Sequence, residues 1–184
     1  MKSPTRKSAG VAAQSEAAHP RNSDGAIRYA AKVRAPFAFL GLTTNGSAVT
    51  SLAYLPAGDA ESAPTDAVAE LAVRELGRYL QDPGVRFTVP VAPRGTPFQH
   101  RVWQALVAIP SGDVRTYGEL AHALASAPRA VGQACGANPI ALIVPCHRVV
   151  GAQGALGGFM HAATGDSIAI KRWLLAHEGC RPGT

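Results

Sequence analysis

Apolar and polar positions alternate over residues 27–33, as they do in a strand that buries one face. This alternation predicts a first strand. Two further apolar runs, at 37–43 and 48–55, flank the dipeptide Asn45-Gly46. This dipeptide favours a tight turn between antiparallel strands, so the sequence predicts a hairpin here.

A helical period replaces the alternation after residue 64. Thr65 is the predicted cap of a helix that Asp82-Pro83-Gly84 ends. The apolar face of this helix comprises Val68, Ala72, Leu76, Tyr79 and Leu80. Residues 87–91 predict another strand. Nothing in this half indicates chemistry, so we expect a small sheet covered by a helix that serves as a scaffold.

Two predicted helices in the second half begin with a capping box, in which a threonine and a residue three positions later cap each other. Thr96 and Gln99 form the first box, with Pro97 at the first helical position. The helix that follows has an apolar face of Phe98, Val102, Leu106 and Ile109. Thr116 and Glu119 form the second box and open a helix that extends to about residue 124.

A short break at Ser126-Ala127-Pro128 precedes another predicted helix, at 129–135. Two short helices joined by a tight turn are typical of a helix-turn-helix. The second helix carries the small residues Ala130, Val131, Gly132 and Ala134. Such a surface can approach DNA closely but reads few bases, so we expect binding with little sequence preference.

The most informative stretch is the apolar run at 140–150, which contains Cys146-His147-Arg148. The run predicts a buried strand that Pro145 ends. A thiol in apolar surroundings has a raised pKa and is inert unless a base or a cation activates it. His147 and Arg148 could supply that activation. The residues alone leave two interpretations open, a nucleophilic Cys146 or an inert thiol of the core.

The glycine-rich stretch at 151–165 predicts a loop. Its His161 could approach a pocket around Cys146, but we expect it to lie in solvent. Asp166 or Ser167 is the predicted cap of a last helix, which ends at Gly179. Glu178 lies in the last turn, where the helix dipole disfavours a carboxylate. This position indicates a partner elsewhere in the chain, although a solvated glutamate would also fit.

Charge and composition narrow the possible partners. The 184 residues are 47% hydrophobic and carry a formal net charge of +6. The charge is +3 over residues 1–28, −1 over 29–93 and +4 over 94–184, and the basic half that contains Cys146 favours nucleic acid. Three cysteines form neither a disulfide framework nor a zinc spacing. Their odd number without a CxxC argues for a reducing compartment, so we expect a cytoplasmic protein, or a nuclear one in a eukaryote. No run reaches membrane-spanning length.

The second half contains a combination of short motifs that is specific. They are Gly95-Thr96-Pro97-Phe98-Gln99, Tyr117, Arg129-Ala130-Val131-Gly132, Asn138-Pro139, Pro145-Cys146-His147-Arg148-Val149 and residues 174–179. With them the chain resembles the O6-alkylguanine-DNA alkyltransferases, also called methylated-DNA–protein-cysteine methyltransferases. The resemblance implies DNA repair by direct, irreversible transfer of an alkyl group from O6 of guanine to Cys146, once per molecule and without a cofactor or metal. O4-alkylthymine is a second expected lesion.

The resemblance also implies a role for each matching residue of the reaction centre. Cys146 would be the nucleophile, His147 would relay its proton through a water, and Glu178 would orient His147. Asn138 would brace the helix-turn-helix against the active-site strand. Tyr117 would help to rotate the nucleotide out of the duplex and would donate a hydrogen bond or proton to the leaving guanine.

Further expectations concern DNA and the substrate pocket. The expected DNA contacts are Thr116, Tyr117, Arg129, Ala130 and Gly132. Arg129 would fill the gap that the flipped base leaves in the duplex, while the second helix lies in the minor groove. The expected pocket residues are Pro145, Val149, Phe159 and Met160. The carbonyls of Cys146 and Val149 would read the exocyclic amine of guanine, and Arg148 would have a structural role.

We therefore expect an α/β (α+β) fold in three parts. A disordered tail occupies 1–25, a scaffold domain 26–92, and a DNA-binding and alkyltransferase domain 93–184. The scaffold is a small antiparallel sheet with a helix, similar in outline to ribonuclease H, and the last domain is mostly helical with a helix-turn-helix. The expected partner is double-stranded DNA that contains alkylated guanine, bound by a monomer, with cooperation between molecules on DNA left open.

Two segments depart from the family pattern. The interval from Tyr117 to Arg129 is a residue or two shorter, and the loop at 159–165 is longer and begins with Phe159 in place of a tyrosine. The first change bears on the position of the arginine and the second on the range of alkyl sizes. Two other functions stay open: a damage-binding protein without repair, which the presence of Cys146 disfavours, and a thiol hydrolase, which lacks an evident oxyanion site.

Overall fold

The computed structural model describes residues 27–56, 58–162 and 164–180, so the tail predicted at 1–25 lies outside the described residues. The strands are β1 (Ala31–Arg34), β2 (Phe39–Thr44), β3 (Val49–Leu55), β4 (Arg115–Thr116) and β5 (Val149–Val150). The helices are α1 (Ala67–Gln81), α2 (Pro97–Val107), α3 (Tyr117–Ala123), α4 (Pro128–Gly136) and α5 (Asp166–His177). This order confirms the α/β class, with a small sheet first and helices dominating the second half.

The antiparallel sheet has the strand order β1-β2-β3 and confirms the predicted hairpin. Asn45 closes the turn between β2 and β3, because its side-chain oxygen accepts the backbone N–H groups of Ser47 at 3.0 Å and Ala48 at 2.9 Å. Gly46 supplies the positive φ of +83° that the turn requires. The first strand begins at Ala31, later than the alternation predicted.

Helix α1 packs its apolar face, including Leu76 and Tyr79, against the hydrophobic core. The predicted cap at Thr65 is wrong by one residue: Asp66 is the N-cap, and its carboxylate accepts the backbone N–H of Ala69 at 2.8 Å. A carboxylate at this end also interacts favourably with the helix dipole. The cap and the buried face together fix the helix above the sheet.

The strand predicted at 87–91 does not form, and the buried Glu75 of α1 explains why. Its carboxylate accepts the backbone N–H groups of Thr88 at 2.9 Å and Val89 at 3.0 Å, together with the Thr88 hydroxyl. These donors are therefore satisfied by a side chain and need no neighbouring strand. Val91 alone pairs with the sheet, in an isolated bridge to Val49.

Both predicted capping boxes are confirmed. Thr96 and Gln99 cap each other at the start of α2, and Thr116 and Glu119 do so at the start of α3. Helices α3 and α4 pack against each other across the turn at 124–127, as a helix-turn-helix requires. The indole N–H of Trp103 on α2 donates to the Ala134 carbonyl of α4 at 2.9 Å, which fixes this helix pair to the core.

The buried strand predicted at 140–144 is wrong: the segment is buried, but it forms a turn. Asn138 closes this turn, because its Oδ1 accepts the Ile140 N–H at 3.1 Å and its Nδ2 donates to the Val144 carbonyl at 2.8 Å. The Leu52 N–H of β3 donates to the Pro139 carbonyl at 2.8 Å and docks the turn on the hairpin. The chain then continues into a short 3-10 helix, Cys146–Arg148, and β5, which pairs in parallel with β4.

Helix α5 completes the fold and packs against the 3-10 helix. The predicted caps Asp166 and Ser167 are wrong, because Gly165 is the N-cap and no side chain caps this end. Asp166 is the first helical residue instead. Gly179 ends the helix as predicted, with a φ of +76°.

Candidate active site

Cys146 lies at the start of the 3-10 helix, on the wall of a cavity of about 350 Å³. The thiol residue is only 3% exposed. The helix-turn-helix contributes Tyr117, Arg129 and Gly132 to the cavity wall, and the loop after β5 contributes Phe159 among others. The cavity therefore lies between the predicted DNA-binding element and the loop, and the thiol is part of its wall.

The environment of Cys146 opposes ionisation and also partly compensates for it. Burial raises the pKa of the thiol to about 11, while the Asn138 side chain and the charge of Lys171 both act to lower it. Asn138 is itself buried and held by the 140–144 turn. Because the thiolate is the nucleophilic form, a base is needed to remove the proton as the reaction proceeds.

His147 follows directly and is fully buried, and its ring is held by Glu178. The two atoms His147 Nε2 and Glu178 Oε1 are 2.9 Å apart. Burial lowers the pKa of His147, against the opposing effect of Glu178, so the imidazole is neutral at pH 7. An ionised carboxylate can only accept, so Nε2 carries the proton and donates it to Glu178. The lone pair is then on Nδ1, which is buried and has no hydrogen-bond partner among the described residues.

Glu178 has the partner that its position at the end of α5 indicated. Arg148 Nε donates to Oε2 at 2.9 Å and Nη2 donates to Oε1 at 2.8 Å, a two-point contact. The Tyr79 hydroxyl donates to Oε1 at 2.7 Å. Burial acts to raise the pKa of Glu178, but the hydrogen bonds of His147 and Arg148 outweigh it and lower that pKa to about 2. The carboxylate is therefore ionised across the physiological range.

Lys171 is a member of this site that the sequence analysis missed. The side chain is 0% exposed, and its ammonium donates to the carbonyls of Val149 at 2.6 Å and Gly158 at 3.1 Å. Burial lowers the pKa of Lys171 to about 8, while its interaction with Cys146 acts to raise it. A signal was present: residues 171, 174, 175 and 178 share one helical face with the 3.6-residue period, and 174 and 175 are leucines.

Tyr117 is the first residue of α3 and lines the same cavity as the Cys146 thiol. Its hydroxyl donates to the Gly158 carbonyl at 3.3 Å, and the Lys171 ammonium is 5.9 Å from its ring centre. Burial raises the pKa of Tyr117 well above its usual value, so the hydroxyl remains a donor. Arg129 is exposed in the first turn of α4, at the cavity mouth. Thr116 lies beside Tyr117 as a helix cap, and Ala130 lies on α4 outside the cavity wall.

The pocket predictions divide into two groups. Phe159 and Met160 line the cavity, whereas Pro145 and Val149 are buried and do not lie on its wall. Moreover, the Val149 carbonyl, expected to read the base, accepts a hydrogen bond from Lys171. The Phe159 ring, which lines the cavity, also packs edge-on against Tyr54, with ring centres 6.2 Å apart.

His161 is exposed, as expected, and it also approaches the pocket, which was the alternative left open. Its ring lines the cavity and rests on Gly136 of α4. A Cβ atom at Gly136 would be 2.6 Å from His161 Nδ1, closer than real contacts allow. The absence of a side chain at residue 136 therefore permits this imidazole to narrow the entrance.

Three further observations concern the thiols, metal ions and the membrane. Cys135, Cys146 and Cys180 are all free thiols. Within the described ranges, no group of three or more His, Cys, Asp or Glu side chains is placed to hold a metal ion. No helix in those ranges has the length and apolar character needed to cross a membrane.

Comparison with known proteins identifies similar sequences and structures. Residues 97–180 match the family described as "6-O-methylguanine DNA methyltransferase, DNA binding domain". A "Methylated-DNA--protein-cysteine methyltransferase" of Mycobacterium tuberculosis is 42% identical over 155 residues, which cover 81% of this chain and 91% of that protein. One from Methanosarcina acetivorans is 50% identical over 110 residues, which cover 59% of this chain and 67% of the relative.

Solved structures extend the similarity beyond residues 97–180. The crystal structure of M. tuberculosis OGT in complex with DNA has a TM-score of 0.69 and 41% sequence identity, and the match covers 80% of this chain and 90% of the other. The O6-methylguanine-DNA methyltransferase of Pyrococcus kodakaraensis has a TM-score of 0.51 and 28% identity, with 80% and 96% covered. Both matches extend beyond residues 97–180, so they include part of the N-terminal half.

Proposed function

The chain belongs to the methylated-DNA–protein-cysteine methyltransferases, and on that premise we propose how its own residues carry out the reaction. Its activity is the repair of alkylated DNA by transfer of the alkyl group to a cysteine of the protein. We assign that cysteine to Cys146. One observation carries this assignment: Cys146 lies on the cavity wall, and its neighbour His147 is held by Glu178 with no partner for Nδ1 among the described residues.

The chemical steps follow from these positions. His147 Nδ1 takes the thiol proton through a bridging water, as the family resemblance implies, and the sulfur attacks the alkyl carbon from the side opposite O6. The carbon–O6 bond breaks, its electron pair goes to the guanine, and the Tyr117 hydroxyl donates a hydrogen bond or proton to the departing base. Lys171 stabilises the thiolate through its charge. The product is a thioether, which does not revert, so each molecule acts once.

DNA is the partner that this reaction requires. The basic second half and the exposed Arg129 beside the cavity support it. The O6 atom cannot be reached for in-line attack inside a base stack, so the nucleotide must be rotated out. We propose that α4 enters the minor groove, where its small residues permit close approach, and that Arg129 occupies the gap. A monomer suffices for this arrangement, and the cytoplasm, or a nucleus, supplies the reducing conditions that three free thiols need.

A mass measurement tests the function. The full chain is incubated with a duplex oligonucleotide that contains one O6-methylguanine, and the intact protein mass is recorded. A gain of one methyl group per molecule, with loss of the lesion and no further turnover, is the expected result. Tight binding to the lesion without a mass change would instead show a damage-flagging protein. Binding should weaken steeply as salt rises, because phosphate contacts release counterions.

A further inference from the structure

The N-terminal half places one polar group directly on the reaction centre. Tyr79 of α1 is 0% exposed, and its hydroxyl donates to Glu178 Oε1 at 2.7 Å across a sequence separation of 99 residues. This contact joins the half that we expected to be a scaffold to the carboxylate that orients His147.

The position of Tyr79 is fixed at several points. His177 Nε2 lies 2.7 Å from the Tyr79 backbone carbonyl and donates to it. The His177 ring also meets the Tyr79 ring edge-on at 5.3 Å, and Phe87 packs on the tyrosine at 5.6 Å. A side chain held in this way presents its hydroxyl in one direction, so the hydrogen bond to Glu178 costs little further ordering.

The contact matters because the same carboxylate oxygen receives several donors. Oε1 accepts from Tyr79, from His147 and from Arg148 Nη2, whereas Oε2 accepts from Arg148 Nε. Three donors therefore share one oxygen. Each donor reduces the negative charge that the oxygen offers to the others, so the Tyr79 hydroxyl weakens the pull of Glu178 on the imidazole.

We propose that Tyr79 is a positioning residue of the reaction: through its hydrogen bond to Glu178 it holds the carboxylate in place and tunes the proton affinity of His147. The proposal rests on the proposed function for its consequence, but the coupling itself can be measured without DNA. It gives the N-terminal half a part in the chemistry that acts through Glu178 and His147.

Other charged groups act on the same imidazole and must be kept constant in a test. Arg148 on the 3-10 helix and Lys171 on α5 both face His147 and lower its pKa. The Cys146 thiol adjoins it, and His177 packs against Tyr79 on the far side. Cys180 also interacts with the Glu178 carboxylate. None of these groups is altered by removal of a single tyrosine hydroxyl.

Tyr79→Phe is the direct variant, and Tyr54→Phe is the matched control. Tyr54 is also buried in the N-terminal half and interacts with Cys146, but its hydroxyl contacts the Ala141 carbonyl at 3.4 Å instead of Glu178. The control thus distinguishes the effect of a buried tyrosine hydroxyl near Cys146 from the effect of the hydrogen bond to Glu178. Two readouts are used, the titration of the His147 ring by ¹⁵N NMR in the free protein and the pH profile of methyl transfer from an O6-methylguanine duplex.

Loss of the hydroxyl leaves Glu178 Oε1 to its other donors, so the carboxylate binds the imidazole proton more strongly. We expect the His147 pKa and the acidic limb of the transfer profile to move to higher pH in Tyr79→Phe, by about one unit or somewhat less. Tyr54→Phe should leave both in place. Replacement of Tyr79 by 3-fluorotyrosine keeps the ring and makes the hydroxyl a stronger donor. We expect it to move the His147 pKa and the acidic limb of the transfer profile to lower pH. This protein provides the test if Tyr79→Phe does not fold.

An unchanged His147 titration in Tyr79→Phe and in the fluorinated protein would overturn the proposal, as would an equal shift in Tyr54→Phe. A wild-type chain that transfers no methyl group would count against the proposed function alone, because the NMR titration would still report the coupling.

Discussion

His147 Nε2 and Glu178 Oε1 are 2.9 Å apart, and both side chains are fully withdrawn from solvent. The carboxylate fixes the ring as the tautomer with its proton on Nε2, which leaves the Nδ1 lone pair to act as the base. As in a catalytic triad, a carboxylate orients the histidine base, and the nucleophile here is a thiol. The contact therefore sets both the rate of methyl transfer and the stability of the protein in acid.

Glu178→Gln should slow methyl transfer about a hundredfold or more, because a neutral amide no longer stabilises the protonated imidazole or selects its tautomer. It also removes the charge that balances Arg148, so the variant should be less stable by about 3 kcal/mol. Single-turnover rates on an O6-methylguanine duplex and urea unfolding measure the two effects. Glu70→Gln, an exposed position on α1, is the control and should leave both near the wild-type values. A Glu178→Gln rate within twofold of wild type would remove Glu178 from the relay.

Acid should destabilise the protein through the same carboxylate. The pKa of Glu178 is about 2 in the folded protein and has a usual value of 4.5. A carboxyl with a lowered folded pKa stabilises the fold above its unfolded pKa, and that contribution is lost as pH falls from about 4.5 toward about 2. Urea midpoints measured across this window should fall more steeply for wild type than for Glu178→Gln, which has no carboxyl to titrate. Parallel curves for the two proteins would contradict the ion-pair assignment.

Lys171→Met should raise the pKa of Cys146 further, because the ammonium that stabilises the thiolate is gone. A rise of one unit would slow transfer about tenfold near neutral pH. Since the pKa of Lys171 is about 8, the wild-type advantage should shrink as pH rises through that value and the lysine loses its charge. Transfer rates across this range test the effect. Lys32→Met is the control, since Lys32 lies on β1 and pairs with Asp59 in the loop after β3. Equal rates for the two variants would contradict a role for Lys171 in stabilising the thiolate.

Arg129→Ala should reduce repair of an O6-methylguanine duplex by about tenfold or more, because the gap in the base stack is left unfilled. Its reaction with free O6-methylguanine base should change little, since no nucleotide has to be rotated out. The ratio of the two rates is the measurement. Arg74→Ala, an exposed arginine on α1, should leave the ratio unchanged. Equal losses on duplex and free base would exclude the proposed role of Arg129.

The sequence predicted best those features that depend on a few consecutive residues. Asn45-Gly46 specifies its hairpin, and the Thr116–Glu119 box specifies a helix start, because donor and acceptor lie within one turn of each other. The apolar runs at 87–91 and 140–144 were predicted as strands, yet side chains satisfy their backbones. Glu75 does so for the first run and Asn138 for the second. Apolar content predicted the burial of residues 140–144 but not the path of the backbone.

The site shows the same difference between local and long-range information. Cys146, His147 and Glu178 are assigned through the family motifs, and the unfavourable position of Glu178 at a helix end only indicates that it has a partner somewhere. Tyr79 was assigned to the apolar face of α1, which is true of its ring, while the target of its hydroxyl lies 99 residues away. Lys171 is a cation in a helix, where lysine side chains are usually exposed to solvent, so its burial was not predicted. Only the packed fold brings these two groups to the carboxylate and the thiol.

The fate of the methyl group tests the central claim most directly. The chain is incubated with a duplex whose O6-methylguanine carries a ¹³C-labelled methyl group, and the labelled peptide is then located by mass spectrometry. Cys135→Ala is the matched control, because Cys135 is a second buried thiol on the same cavity wall. The label should be found on Cys146 in wild type and in Cys135→Ala, whereas Cys146→Ala should bind the duplex and take up none. Label on Cys135, Cys180 or any other side chain, or uptake that persists in Cys146→Ala, would contradict the account.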